Sequence, residues 1–165
     1  MPTPLAPRTF LSALRAALAG NASDAVEQQC DLVRYATLAP SSHNTQCWKF
    51  KPGDGRISIL PDRTRRCPAV DPDDHHRYVS LGCAAENLAQ AAAAGGFHSE
   101  IAYDPAGDAV EVQLAPARPV RSVLFEAIPQ RQCARATYDG KAVAGNDLKL
   151  LEQAGSGNVA FMSCS

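Results

Sequence analysis

A run of about twenty residues, His75 to Ala94, constrains this chain most. It contains no proline, is dense in alanine, and is closed by Gly95-Gly96. The pattern predicts one long helix with an apolar face through Val79, Cys83 and Leu88 and a second face of small residues suited to close packing. A hairpin signal stands on each side of it. Upstream, Trp48 to Lys51 and Arg56 to Leu60 flank Pro52-Gly53-Asp54-Gly55, with Ile57 and Ile59 alternating. Downstream, Phe97 to Tyr103 and Ala109 to Ala115 flank Asp104-Pro105-Ala106-Gly107-Asp108, with Val110, Val112 and Leu114 alternating. Hairpins and helices without strict βαβ alternation predict an α+β fold rather than a doubly wound sheet.

The remaining elements follow from caps and breakers. Ser23 as N-cap and the apolar positions Val26, Cys30, Val33 and Leu38 predict a helix from Asp24 to Leu38 that ends at Pro40. Asp62 to Asp74 reads as an ordered surface loop, because its prolines and charges show no apolar period. A short helix is expected from Ser122 to Ile128, and a last one from Asp147 to Ala154 behind Asn146 as N-cap. Val159 to Met162 reads as the start of another strand.

Composition narrows the function classes. At 165 residues, with 45% hydrophobic and 20% charged residues, the chain supports one ordinary globular core. A formal net charge of -1 with scattered lysines and arginines argues against nucleic acid as partner. The six cysteines are widely spaced and form no CxxC pair, which points to reduced thiols and away from zinc, a redox dithiol or an iron–sulfur cluster. Near the N-terminus, Arg15 interrupts the apolar stretch between Phe10 and Ala19, so residues 1–23 read as an amphipathic extension rather than a secretory leader. No segment is long and apolar enough to span a bilayer. The expectation is a cytoplasmic protein, with no membrane and no nucleic acid among its partners.

Chemistry concentrates in the connection Ala39-Pro40-Ser41-Ser42-His43-Asn44-Thr45-Gln46-Cys47-Trp48, between the first helix and the first strand. Two hydroxyls, two amides and an imidazole in succession suit a hydrogen-bonding ligand, since a buried polar group left without a partner costs about 1–3 kcal/mol. A serine- and asparagine-rich turn is the plain alternative. Arg131-Gln132-Cys133-Ala134-Arg135 supplies cations farther along, with a solvated loop as its plain alternative. Asp71, Asp73, Asp74, His75 and His76 have no fixed ligand spacing and are better explained by the dipole of the helix they precede, so no metal site is expected.

Leu38 to Phe50, Ser80-Leu81-Gly82-Cys83-Ala84-Ala85-Glu86-Asn87-Leu88 and the Arg131 to Arg135 cluster together resemble the FMN-dependent nitroreductase family, in particular its Acg-like branch. The resemblance implies a nitroreductase-like fold in which two units are fused as a pseudo-dimer. On that reading residues 24–130 form the first unit and residues 131–165 only begin a second, leaving an incomplete architecture that completes itself as a homodimer. FMN is the implied cofactor and NAD(P)H the implied electron donor. Ser41, Ser42 and Asn44 match the loop that hydrogen-bonds the flavin and its ribityl chain, with Gln46 supporting it. Arg131 and Arg135 match positions that bind the FMN phosphate and the pyrimidine edge of the ring. Cys133 stands where the family has Ser or Thr, and Cys47 where it has proline. The implied activity passes electrons from NAD(P)H to a nitroaromatic, quinone or similar small-molecule acceptor, with no side chain assigned as catalytic because the flavin carries the chemistry. The alternative is a non-enzymatic flavin-binding or flavin-sequestering protein, or an inactive truncated relative.

Overall fold

A computed structural model describes residues 22–155, with side chains from 26 to 153. The chain divides into two compact units, one up to Gln132 and one from Cys133. The N-terminal extension and the strand expected at Val159 to Met162 lie outside the described residues.

The first unit runs in the order α1 (Ala22–Ala36), β1 (Trp48–Gly53), β2 (Arg56–Pro61), α2 (His75–Ala94), β3 (Phe97–Asp104), β4 (Ala109–Pro116) and α3 (Val123–Ala127). Both hairpins form as the turn residues predict. Asp54-Gly55 sits between the paired Gly53 and Arg56, and Gly55 takes a φ of 62°, open to glycine at no steric cost. The two hairpins then join edge to edge through β2 and β4, giving an antiparallel sheet of order β1-β2-β4-β3. Ile57, Ile59 and Val112 are fully buried, with Trp48, Phe50, Val110, Leu114 and Phe97 packed into the same core. Ser58 and Glu111 pair on the other side, where the serine hydroxyl donates to the carboxylate at 2.9 Å.

Helix α2 keeps its predicted bounds and lies on the sheet through Leu81, Ala84, Ala85, Leu88, Ala91 and Ala92. Its alanines let α1 approach closely, and the Asn87 amide donates to the Tyr35 carbonyl at 3.2 Å to fix that approach. Gly96 ends the helix at φ 85°, where a Cβ would meet the Ala117 carbonyl oxygen at 3.3 Å. Two expectations for the apolar stripes are corrected. Val79 is 50% exposed and Cys83 only half-buried, so of the predicted face only Leu88 enters the core. On α1 the buried stripe is Leu32 and Ala36, supported by Val33 and Tyr35, while Val26, Cys30 and Leu38 are exposed. Both stripes have helical spacing, and only the position of the sheet chooses between them.

Helix ends also differ from the expected caps. Ser23 lies inside α1 and Asn146 inside α4 (Gly145–Gly155), each helix starting earlier than its cap signal. Ser122 does cap α3, its hydroxyl accepting from the Phe125 amide at 3.0 Å. Pro129 does not end that segment but lies within a 3-10 turn, Ile128–Gln130, which tolerates a residue without an amide hydrogen near its start.

The segment from Asp62 to Asp74 is tied down more firmly than a surface loop requires. Asp62 and Asp71 are buried. Asp71 takes the place of an N-cap for α2, accepting from the amides of His76 and Arg77 at 3.0 Å each. Burial pushes its carboxyl up, but those two amides outweigh it and leave the group below its ordinary value. Arg63 and the hydroxyls of Tyr78 and Tyr103 converge on Asp108, which anchors the same segment to the β3–β4 turn.

Asp62 gives this segment an acid sensitivity. Its carboxylate accepts from the Thr64 hydroxyl (2.7 Å) and amide (3.0 Å) and faces Lys49 Nζ at 3.1 Å. The two Thr64 bonds, with help from Lys49, lower its pKa from 3.8 to about 2. A depressed native pKa means that the folded state binds fewer protons than the unfolded chain. The stabilisation is therefore complete above about pH 4 and is lost as pH falls toward about 2. Melting temperatures recorded across that window should fall more steeply for the wild-type chain than for Asp62→Asn; parallel curves would refute the assignment.

The second unit holds a stretch without regular secondary structure and α4. Every described side chain from Cys133 onward is exposed, including Leu148, Leu150 and Leu151. An eleven-residue helix with unburied leucines is marginal by itself, because helix nucleation is not repaid without tertiary packing.

Candidate functional site

The polar loop after α1 builds itself before it builds anything for a ligand. The Ser41 carbonyl accepts from the Asn44 amide at 3.0 Å, and the Ser42 carbonyl accepts from the Thr45 amide and hydroxyl at 3.1 and 2.9 Å. The Ser41 hydroxyl accepts from the Gln46 amide at 3.0 Å. These bonds close a 3-10 turn at Ser42–Asn44 and hold His43, Asn44 and Gln46 at φ values of 51°, 55° and 48°. Each left-handed non-glycine residue costs on the order of 1–3 kcal/mol and persists only where its surroundings over-determine it.

The surroundings here include α2. The Ser42 amide donates to the Ser80 hydroxyl at 3.1 Å, and that hydroxyl donates to the His76 carbonyl at 2.6 Å. Ser80 thus fixes the loop to the first turns of the helix. Between the two elements lies a cleft of about 330 Å³. One wall is the loop, with Ser41, Ser42 and His43; the other is the α2 stripe His76, Val79, Ser80 and Cys83. That stripe follows from helix geometry, since residues spaced by three, four and seven share a face. The sequence reading missed it as a site. By spacing alone Val79 and Cys83 belong to a core face, and the signal that marks them otherwise is a short run of small and polar residues on a core-forming helix.

The predicted site residues separate into groups. Ser41 and Ser42 line the cleft. Asn44 and Gln46 are exposed and lie outside its lining. Arg131 belongs to the first unit and comes to the loop's entrance, its guanidinium donating to the Leu38 carbonyl at 3.0 Å. A cation at the end of α1 is favoured there by the helix dipole. Cys133 and Arg135 lie in the second unit and are exposed. Trp48, only 7% exposed, is the core anchor that fixes the far end of the loop.

Charge in the cleft is modest. Burial pushes the Cys83 thiol above its ordinary pKa, and nearby Arg131 offsets this only in part. The thiol is therefore the resting form at neutral pH and not an activated nucleophile. The cleft thus pairs an apolar floor with hydroxyl and imidazole edges and has no lysine or arginine in its lining.

Fold and cleft define an α+β domain with an antiparallel sheet and a ligand-sized groove between a polar loop and a helix. By sequence the chain is similar to two curated proteins of Mycobacterium tuberculosis, from strains CDC 1551 / Oshkosh and ATCC 25618 / H37Rv, each named "Putative NAD(P)H nitroreductase". Identity is 27% over 122 residues, covering 70% of this chain and 36% of each relative. The chain therefore spans about a third of the length of the curated relatives it matches. No family description matches it. No helix among the described residues is long and apolar enough to cross a membrane.

Proposed function

We propose that the cleft between the Ser41-Ser42-His43 loop and the α2 stripe holds the isoalloxazine ring of FMN in an Acg-like, NAD(P)H-dependent nitroreductase. The observation that carries this reading is the size and lining of the cleft. A volume of about 330 Å³ suits a planar tricycle, Val79 offers an apolar surface, and Ser41, Ser42 and His43 offer hydrogen-bonding groups for its carbonyl and nitrogen edge. When bound, the flavin supplies hydride acceptance from NAD(P)H and electron delivery to a nitroaromatic, quinone or similar acceptor. The chain's own residues position and bury the ring. Ser80 holds the loop at its working distance from α2, and Trp48 fixes the loop's exit.

The phosphate needs cations that the cleft lining does not contain. Arg131 at the loop entrance is a candidate within the first unit, and the sequence resemblance alone extends the proposal to Arg135. A guanidinium binds phosphate bidentately, which neither imidazole in the lining can do. The exposed leucines of α4 support a homodimer in which a second copy covers them and contributes to a cytoplasmic, two-subunit flavoprotein. A storage or sequestering role is the second reading, favoured by the placement of Asn44 and Gln46 outside the cleft lining.

The test is reconstitution. Full-length protein mixed with FMN and passed over gel filtration should elute with flavin absorbance at the mass of a dimer, and NAD(P)H should bleach the flavin and be oxidised when a quinone is added. Bound flavin without turnover would select the sequestering role. Colourless protein at every FMN concentration would overturn the flavin reading.

A further inference from the structure

The sheet has two edges, and they are not alike. β1 closes one of them and carries Lys49, Lys51 and Pro52, residues that discourage a further strand from pairing there. β3 closes the other with eight residues in unbroken register on β4, and it contains neither lysine nor proline. No described strand pairs with its outer side. Ile101 and Tyr103, 46% and 53% exposed, sit on this edge. Their partners on β4 are Val112 and Val110, so both side chains belong to the helix-covered face of the sheet, whose core stops short of them. The Tyr78 ring, 6.1 Å from that of Tyr103, extends the apolar surface toward α2.

Backbone direction shows what this edge can accept. The Ala117 amide donates to the Gly96 carbonyl at 2.8 Å, in line with the β3–β4 register. Amides and carbonyls alternate in direction along a strand, so the even-numbered residues of β3 face β4. Those of Phe97, Ser99, Ile101 and Tyr103 point out of the sheet. A two-fold axis normal to the sheet pairs such an edge with itself only when it passes through one residue of each copy. An axis at Glu100 sets that carboxylate against its own copy, and an axis at Ala102 sets Glu100 against Asp104. An axis at Ser99 sets Tyr103 against Gly95, the C-cap of α2, which is not strand. An axis at Ile101 avoids all three conflicts. Ile101 then meets its own copy, Ser99 meets Tyr103, Glu100 meets Ala102, and the His98 imidazole stands opposite the Asp104 carboxylate.

We propose that β3 is a docking edge for a second copy of this chain, the two sheets joining antiparallel about Ile101. Ile101 on the axis and the two Ser99–Tyr103 pairs supply reciprocal backbone hydrogen bonds. Each Ile101 side chain covers its counterpart and, on the diagonal, the Tyr103 of the other copy. The surface belongs to the first unit, and the inference rests neither on the flavin reading nor on the occupant proposed for α4.

Residue-resolved amide hydrogen exchange of the full-length chain at submillimolar concentration tests the edge. The amides of Ser99, Ile101 and Tyr103 should exchange about tenfold or more slowly in the wild type than in Ile101→Lys, which sets two ammonium groups against each other on the axis. The amides of His98, Glu100 and Ala102, held by β4, should stay protected in both and report an intact fold. Mixing Ile101→Lys with Ile101→Glu should restore the protection that each variant lacks alone. Odd-numbered amides that exchange as fast as those of an unstructured chain would overturn the proposal, even in a protein that is dimeric by mass. Protection that survives in Ile101→Lys would overturn it too, because another element of the same chain would then cover the edge. Should neither variant fold, the same three amides must lose protection on dilution of the wild type, or the proposal falls.

Discussion

Replacing Val79 with tryptophan is expected to weaken FMN binding about 100-fold or more while leaving the melting temperature close to that of the wild type. Val79 is half-exposed and faces the cleft from the middle of the α2 stripe, one turn from both His76 and Cys83. An indole there fills the space proposed for the ring, and the lost contacts convert at about 1.4 kcal/mol per tenfold of affinity. Stability should scarcely change, because substitutions at exposed positions without special partners usually fall within about 0.5 kcal/mol. Val79→Ala is the control. It widens the cleft without blocking it, and its affinity should stay within a few-fold of the wild type. Flavin titration by fluorescence quenching reads both variants, and an undiminished affinity in Val79→Trp would remove the flavin from this cleft altogether.

The second large effect is on stability. Leu88→Ala should lower the unfolding free energy by about 2–5 kcal/mol, as large-to-small changes do in close-packed cores. Leu88 is fully buried in the core cluster to which α1, α2 and the sheet all contribute. The leucine's lost burial and the cavity left behind add together. Urea unfolding followed by tryptophan fluorescence suits the measurement, since Trp48 lies in the same core. A loss under about 1 kcal/mol would mean that α2 does not pack on the sheet as described. Comparison with Val79→Ala makes the point sharper, because two apolar residues on one helix should differ several-fold in cost according to the face they occupy.

That contrast shows where the sequence was readable. Gly95-Gly96, Asp54-Gly55 and the alternations at Ile57-Ile59 and Val110-Val112-Leu114 placed α2 and both hairpins within a residue or two, because each is a local steric or periodic signal. The polar loop was visible as a ligand-binding candidate from its residue types. Its internal bonding was not, and it is the backbone of that loop, turned through three left-handed residues, that leaves Ser41 and Ser42 on the cleft and Asn44 and Gln46 outside its lining. Asp71 read as a helix-dipole residue and proved to accept two amides at the start of α2. The burial of Arg77 gave no signal at all, since burial of a guanidinium depends on which neighbours close over it.

By itself, then, the sequence determined the kinds of the elements, the bounds of α2 and of the two hairpins to within a residue or two, the α+β class and the loop where polar chemistry gathers. All of these follow from contacts between residues near one another in the chain. The tertiary structure alone decided the edge-to-edge pairing of β2 with β4, the stripe of α1 that is buried, the turning of Val79 and Cys83 toward a cleft, and the burial of Arg77. Each of these is a choice between alternatives of similar local energy, and it is settled by the burial of apolar area across elements far apart in sequence.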